Sequence, residues 1–414
     1  MRIAILSQYY PPELGAPQNR LSDLARRLTD RGHSIEVLTA LPNYPGNRVF
    51  PAYRTASVVR EVLDGVPTKR LSLYVPGRKT PVRRVAHYCS FALHASLRGP
   101  GLLSQADYVI TESPPLFLAP AGAYLARKLK AQFVMNVSDL WPASVIGLGV
   151  LQPGLLERAS VRLEEWCYRQ AALITGQSNG IVDDIAARFP KKTVHLYPNG
   201  VDLNLWKRAP SRAAARRALG WSEQSFIVGY VGLHGHAQAL EQVILAAQLL
   251  RDRPRIQIAL FGDGPEKESL QARAKQLDLG NVLFYAPEPH GRVPSILSAI
   301  DVGIVPLADR KVFEGVRPSK IFEIMASSRP VLLAGRGEPA RLVEESGGGV
   351  VVPPEDAQEL EFAIRELAAD PERRKAMGEN GRRYVERGFD REKITAELED
   401  FLHQHLRHSR LSSG

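Results

Sequence analysis

Phe313-Glu314-Gly315-Val316-Arg317-Pro318-Ser319-Lys320-Ile321-Phe322-Glu323-Ile324-Met325-Ala326-Ser327-Ser328-Arg329-Pro330-Val331-Leu332-Leu333 reads as loop, helix, turn and strand. Gly315 permits an unusual backbone angle. Pro318 suits a first helical position, where its missing N–H costs nothing. At roughly 100° per residue, Ile321 and Met325 share one face, and Glu323 falls nearly opposite, with Lys320 one turn before it. A cation and a carboxylate therefore occupy the first two turns of a short helix whose N-terminus attracts anions. Loop amides and Lys320 suit a phosphate, and Glu323 suits a sugar hydroxyl. A surface Lys–Glu pair at i,i+3 accounts for the same residues.

The same alternation extends outward through the second half. Strand Phe226–Val231 leads through a glycine loop to a helix at 239–250. Strand 257–261, the turn Gly262-Asp263-Gly264-Pro265 and a helix at 266–277 follow. Strands at 282–285, 302–305, 331–334 and 349–352 and helices near 355–369, 371–387 and 391–408 complete the pattern. The first half repeats the architecture. Strand 2–7, a loop with Pro11, Pro12, Gly15 and Pro17, helix 18–31 and strand 34–39 form a βαβ unit, so a parallel sheet is expected. Ligands bind at the carboxyl ends of such strands, where Gly15 lies. Strand-like pieces occur at 56–60 and 69–73, then at 108–111, 133–137, 173–176 and 194–197. Pro198-Asn199-Gly200-Val201-Asp202 is a dense turn signal. The boundaries read as an N-terminal domain 1–200, a C-terminal domain 203–388 and a helix 389–408 crossing back toward the first domain.

A chain of 414 residues is too long for one typical core. Cys89 and Cys167 form no CxxC pair, no apolar run reaches membrane-span length, and the apolar run 3–6 is too short for a signal core. A cytoplasmic protein is expected. The net charge of +10 is uneven. Residues 1–200 hold 24 basic and 14 acidic side chains, and residues 48–100 alone hold 10 against 2. Such a patch suggests an anionic partner. On a helix at 82–98, Arg83, Arg84, His87, His94 and Arg98 share an arc with Phe91. That arc fits either a solvated basic face or one that meets anionic lipid, too polar to insert.

Three further places carry possible chemistry. Gly232-Leu233-His234-Gly235-His236 joins a strand to a helix; its glycines allow close approach to a phosphate, and His234 and His236 add donors. The 262–265 turn reads mainly as structural. Asp139, in Asn136-Val137-Ser138-Asp139-Leu140-Trp141-Pro142, ends a buried strand and suits either an acceptor-facing carboxylate or an N-cap. The chain has no Asp-x-Asp, GxSxG, HExxH, P-loop or GxGxxG. With aromatic content of 7% and no basic–aromatic interleaving, nucleic acid is not an expected partner.

Two α/β halves, the 198–202 segment, Gly262–Pro265, Pro318-Ser319-Lys320 before Glu323-Ile324-Met325-Ala326, and Gly349–Pro353 together resemble family 4 glycosyltransferases of the GT-B fold. Asp139–Pro142 and Pro318–Lys320 are similar to the subgroup that assembles O-antigen, colanic acid and capsule. The resemblance implies two Rossmann-like domains facing a central cleft, closing about 198–202. It implies metal-independent, retaining transfer of a sugar from a nucleoside diphosphate donor, UDP-linked by expectation. The acceptor would be a polyprenyl-diphosphate-linked glycan at the inner membrane face. Catalytic roles fall to Asp139 and Lys320. Donor contacts fall to Gly15, Gly232, His234, His236, Gly315, Val316, Arg317, Ser319, Lys320 and Glu323, and membrane or acceptor contacts to Arg83, Arg84, His87, His94 and Arg98. Glu323 matches the second Glu of the family's paired-Glu motif; the first falls at 315, a Gly, with Glu314 one residue early. Arg317 and Lys320 then carry the diphosphate charge, and Ser138 replaces a common His. Competing readings are a GT-B nucleotide-sugar 2-epimerase, drawing on Asp139, Glu112 and Glu13, and a non-catalytic nucleotide-sugar-binding module.

Overall fold

The computed structural model describes residues 1–414 apart from 14, 45, 78–79, 148–153 and 412–414. The chain divides into two units, Met1–Pro198 together with the chain from Ile394 onward, and Asn199–Lys393.

The first unit is an eight-stranded sheet. Its strands are β1 (Arg2–Leu6), β2 (Ser34–Ala40), β3 (Val58–Leu63), β4 (Val66–Leu71), β5 (Tyr108–Ser113), β6 (Gln132–Val137), β7 (Leu173–Gly176) and β8 (Thr193–Leu196). They lie in the order β3-β4-β2-β1-β5-β6-β7-β8. All neighbours are parallel except β3 and β4. β1 is apolar on both faces because both are covered. Ile3 and Ile5 point to the side of α1 (Ala16–Asp30), where Leu21, Leu24, Ala25 and Leu28 are buried. Ala4 and Leu6 point to the side of α2 (Pro81–Leu102) and α3 (Ala119–Leu129). The final helix, Arg391–Leu411, joins the α1 side through Ile394, Leu398 and Leu402. Each such side chain contributes ~1.5–3 kcal/mol on burial. The Tyr108 hydroxyl donates to the Leu402 carbonyl at 2.8 Å, and His195 stacks on Phe401 at 4.2 Å.

The sequence reading places strands at 56–60 and 69–73 but not their pairing. β3 and β4 form a hairpin whose turn residues, Asp64 and Gly65, have φ of 48° and 80°. That is the backbone an Asp-Gly hairpin turn favours.

The second unit has six parallel strands: β9 (Phe226–Val231), β10 (Ile256–Phe261), β11 (Val282–Tyr285), β12 (Val302–Pro306), β13 (Val331–Ala334) and β14 (Gly349–Val352). Their order is β11-β10-β9-β12-β13-β14. The site helix runs Ser319–Ala326, with Ile321, Phe322, Ile324 and Met325 buried. It lies tight on β12, since a Cβ on Gly303 would come within 2.5 Å of Ile324 Cγ1. Two expectations are corrected here. Pro318 precedes the helix as its cap rather than starting it. Gly315 closes a short 3-10 turn, Lys311–Gly315, so its backbone is ordinary.

Candidate functional site

Two glycine loops at the carboxyl ends of β9 and β10 press together. A Cβ on Gly262 would meet the Gly232 carbonyl at 1.8 Å, and one on Gly264 the His234 carbonyl at 2.3 Å. The His234 amide donates to the Asp263 carbonyl at 2.9 Å, and the Glu266 amide to the His234 carbonyl at 3.0 Å. The 262–265 turn thus has a direct structural role: it braces the loop that begins at Gly232.

Lys320 occupies the space this bracing leaves. A Cβ on Gly232 would sit 2.2 Å from Lys320 Cε and 2.7 Å from Nζ. The ammonium lies 5.3 Å above the Tyr230 ring, and Tyr230 is fixed by donating its hydroxyl to the Leu233 carbonyl at 2.6 Å. Burial lowers the Lys320 pKa, and Glu323 acts in the opposite sense. Among the described residues Lys320 has no hydrogen-bond or ion-pair partner. A half-buried cation without a carboxylate against it, beside backbone that approaches closely, has the chemistry to receive an anion.

Glu323, one turn on, receives His290 Nε2 at 3.3 Å. Burial pushes its carboxyl up, but His290, Arg391 and Lys320 together bring it below the usual carboxylate range. His290 stands edge-on to Trp206 at 6.0 Å, and Trp206 Nε1 donates to Ser327 Oγ at 2.7 Å. Sequence reasoning missed His290; its only signal was a lone His in the Pro-rich loop 287–290 after β11.

The other named residues are less uniform. Ser319 opens the helix half-buried, with no partner for its hydroxyl among the described residues. Val316 packs partly buried against the apolar core. Arg317 does not stand free: its guanidinium pairs with Glu338 and lies 5.9 Å over the Phe389 ring. Asn199 Nδ2 ties the Arg317 carbonyl at 3.0 Å. His234 is fully buried between Tyr230 and Phe284, at 5.8 and 6.5 Å. Burial, with Lys267 nearby, drops its pKa to about 4, and neither ring nitrogen has a hydrogen-bond partner among the described residues. His236 is exposed, with Nδ1 2.5 Å from Glu266 Oε1.

In the first unit, Asp139 follows β6. Burial raises its pKa against hydrogen bonds from Ser144 and the Leu140 amide. The preceding residue, Ser138, belongs to a network absent from the sequence reading as a unit. Arg20 Nη2 donates to Glu112 Oε1 at 2.7 Å and Ser138 Oγ at 2.6 Å. Asn136 and Ser138 donate to Glu112, and Thr175 Oγ1 donates to Asn136 Oδ1 at 2.6 Å. Arg20 and Glu112 are 3% and 2% exposed, so each needs the other. Phe117 meets Trp141 edge-on at 5.3 Å and stacks with Tyr88 at 6.3 Å. These aromatics give the Asp139 neighbourhood an apolar wall. Glu13 receives amides of Tyr10, Asn43 and Tyr44 at 3.1, 2.7 and 2.8 Å. Burial still raises its pKa to about 7. Gly15 caps α1 in extended backbone, where a Cβ would lie 2.4 Å from Gln18 Oε1.

The expected basic arc of α2 is corrected. Phe91 and His87 are buried, and His87 Nδ1 and His94 Nδ1 bond the Tyr74 and Ser72 carbonyls, each at 2.6 Å. The middle of the arc is therefore core-facing. Arg83, Arg84 and Arg98, at its two ends, remain exposed. Arg84 Nε donates to the Tyr88 hydroxyl at 3.1 Å.

Among the described residues one His/Glu group has metal-like spacing: His33, Glu399 and His403, with ligand atoms within 4.8 Å. Its carboxylate is already held by Arg31 and by His33 Nε2 at 2.8 Å, while His33 Nδ1 meets the Met1 amine at 2.9 Å. It serves as a hydrogen-bonded knot on the last helix. Among the described residues no helix is long and apolar enough to cross a membrane.

Residues 15–200 match the family described as glycosyl transferase 4-like domain, and residues 211–384 the one described as glycosyl transferases group 1. The chain is 28% identical over 408 residues to a putative colanic acid biosynthesis glycosyl transferase, WcaI, of Escherichia coli, covering 95% of this chain and 98% of that one. It is 30% identical over 425 residues to a D-inositol 3-phosphate glycosyltransferase of Kineococcus radiotolerans, covering 94% and 92%. The structure is similar to Anabaena HepE in complex with UDP and glucose, at 20% identity and a TM-score of 0.73, covering 98% and 100%.

Proposed function

Because the chain belongs to the family 4 glycosyltransferases of the GT-B fold, nucleotide-sugar-dependent enzymes, we propose that it transfers a sugar from a UDP-sugar to a lipid-linked glycan in cell-surface polysaccharide assembly, with retention of configuration and without a metal ion. The observation that carries the donor assignment is Lys320, a cation held against Gly232 with no ion-pair partner among the described residues. UDP in the similar Anabaena structure and the colanic acid relative support the choice of donor and pathway class.

In this reading Lys320, the Ser319 hydroxyl and the free amides opening the Ser319–Ala326 helix take the diphosphate. Glu323, kept ionised and oriented by His290, accepts from the ribose hydroxyls. Arg317, already paired with Glu338, shapes the loop instead of neutralising phosphate. The acceptor oxygen bonds to the anomeric carbon as the bond from that carbon to the diphosphate oxygen breaks. The hydroxyl proton passes to the leaving phosphate. Preorganised positive charge stabilises the departing diphosphate as its charge grows. Asp139 positions the acceptor hydroxyl, and the Arg20–Glu112 pair holds the preceding residue, Ser138, in place. The basic excess of residues 48–100 supports a protein that works against an anionic membrane surface.

Calorimetric titration with UDP, followed by incubation with labelled UDP-sugars and a polyprenyl-diphosphate-linked acceptor, tests this. Labelled lipid product in the presence of EDTA is the expected result. Free UDP with an epimerised sugar, or UDP binding without turnover on any donor, overturns it.

A further inference from the structure

α2 turns an apolar stripe to solvent. At 100° per residue, Val82, Val85, Cys89, Leu93 and Leu97 fall within about 120° of arc. All five are exposed, Leu93 and Leu97 by 57% and 71%. A helix that packs on one side ordinarily shows polar residues on the other, and an exposed apolar stripe marks a contact surface. At its C-terminal end the stripe runs into a recess of about 360 Å³ lined by Val58, Arg60, Leu97, Arg98, Gly101 and Leu102. Arg60 and Arg98 are exposed, and neither guanidinium has a partner among the described residues. Two free cations and three branched apolar side chains around one recess fit a phosphate that carries acyl chains.

We infer that α2 docks on an anionic phospholipid bilayer, with the Val82–Leu97 stripe entering the interface and Arg60 and Arg98 holding a lipid phosphate in the recess. The inference rests on the membrane reading above and changes its face. The docking surface is the apolar side of α2, not the arc containing His87 and His94, which is core. A second copy of the chain is the other occupant such a stripe admits. A two-fold contact would bring two patches of like charge together, each holding the exposed Arg60, Arg83, Arg84 and Arg98. An anionic bilayer attracts the same patch.

Co-sedimentation of the full chain with phosphatidylglycerol/phosphatidylcholine vesicles, and with phosphatidylcholine alone, tests the docking face. Arg60→Ser/Arg98→Ser and Leu93→Gln/Leu97→Gln are compared with wild type, with thermal unfolding confirming that each variant folds. Wild type should bind the anionic vesicles, and each double variant should bind them about tenfold or more weakly. The leucine variant's residual binding should vanish at high salt. Wild-type affinity in both double variants overturns the docking face and leaves the membrane reading standing. Absence of wild-type binding overturns both. Loss of a concentration-dependent dimer in Leu93→Gln/Leu97→Gln, with vesicle binding unchanged, assigns the stripe to a second copy.

Discussion

Glu112 in the first unit and Lys320 in the second show two ways of holding a charge away from water. Glu112 is answered on both oxygens, by Arg20, Ser138 and Asn136, and Asn136 is answered in turn by Thr175. Among the described residues Lys320 has the Tyr230 ring face and the space left by Gly232, and no hydrogen-bond partner. In the first arrangement the carboxylate is answered from within the unit, and the network fixes β5, β6 and β7 at their carboxyl ends. The second leaves its cation without an ion-pair partner among the described residues. A closed network is best read as scaffold, and an open charge as a binding site.

Breaking the closed network should cost most. Glu112→Ala removes the buried carboxylate that Arg20, Ser138 and Asn136 all donate to, for an expected loss of ~3–5 kcal/mol in urea unfolding; a loss under ~1 kcal/mol would remove the distinction between the two regions. Opening the second region further should behave oppositely. Lys320→Met should leave the unfolding temperature equal to or above wild type, because it removes an unanswered cation whose pKa burial already lowers. Its transfer rate should fall about 10²–10³-fold, ~2.7–4 kcal/mol. A destabilised but active variant would reverse the assignment. Glu323→Gln should weaken UDP binding by ~1.5–3 kcal/mol with the fold intact, read by calorimetry; unchanged affinity sinks the ribose role.

The last prediction is a pH dependence and concerns Glu13. Its folded pKa, about 7, lies above the ordinary carboxylate value. The folded state therefore holds the proton more tightly between those two values, and stability declines as pH rises through that window. Above it the penalty is constant. Glu13→Gln should flatten this decline in unfolding temperatures measured across the window, and an unaltered slope would assign it to other groups.

Much of the fold was legible because parallel strands covered on both faces read as short apolar runs. The strands expected at 226–231, 282–285, 331–334 and 349–352 coincide with β9, β11, β13 and β14. The β3–β4 pairing was missed although Asp64-Gly65 announces it. α2 shows the limit more sharply. Periodicity correctly grouped Arg83, His87, Phe91, His94 and Arg98 but could not say which side of that group meets the sheet. Histidines that bond backbone carbonyls can sit inward, so polarity misled. Around the site, Lys320, Ser319 and Glu323 were visible as a helix-start pattern. His290, the pairing of Arg317 with Glu338 and the Arg20–Glu112 network join residues far apart in sequence, from 21 residues for Arg317 to 92 for Arg20. No local pattern encodes such contacts.

The closing helix carries one more consequence, for the order of events during synthesis. Ile394, Leu398 and Leu402 fill the α1 side of the first sheet, and the Tyr108 hydroxyl bonds a carbonyl 294 residues later. The first unit therefore begins first and finishes last: its core keeps an uncovered strip while the whole of Asn199–Lys393 is being made. Domains usually mature in the order they emerge from the ribosome. Here the second unit is continuous in the chain and can close on its own, while the first waits for residues beyond it, leaving Tyr108 without its Leu402 partner until the whole second unit has been made.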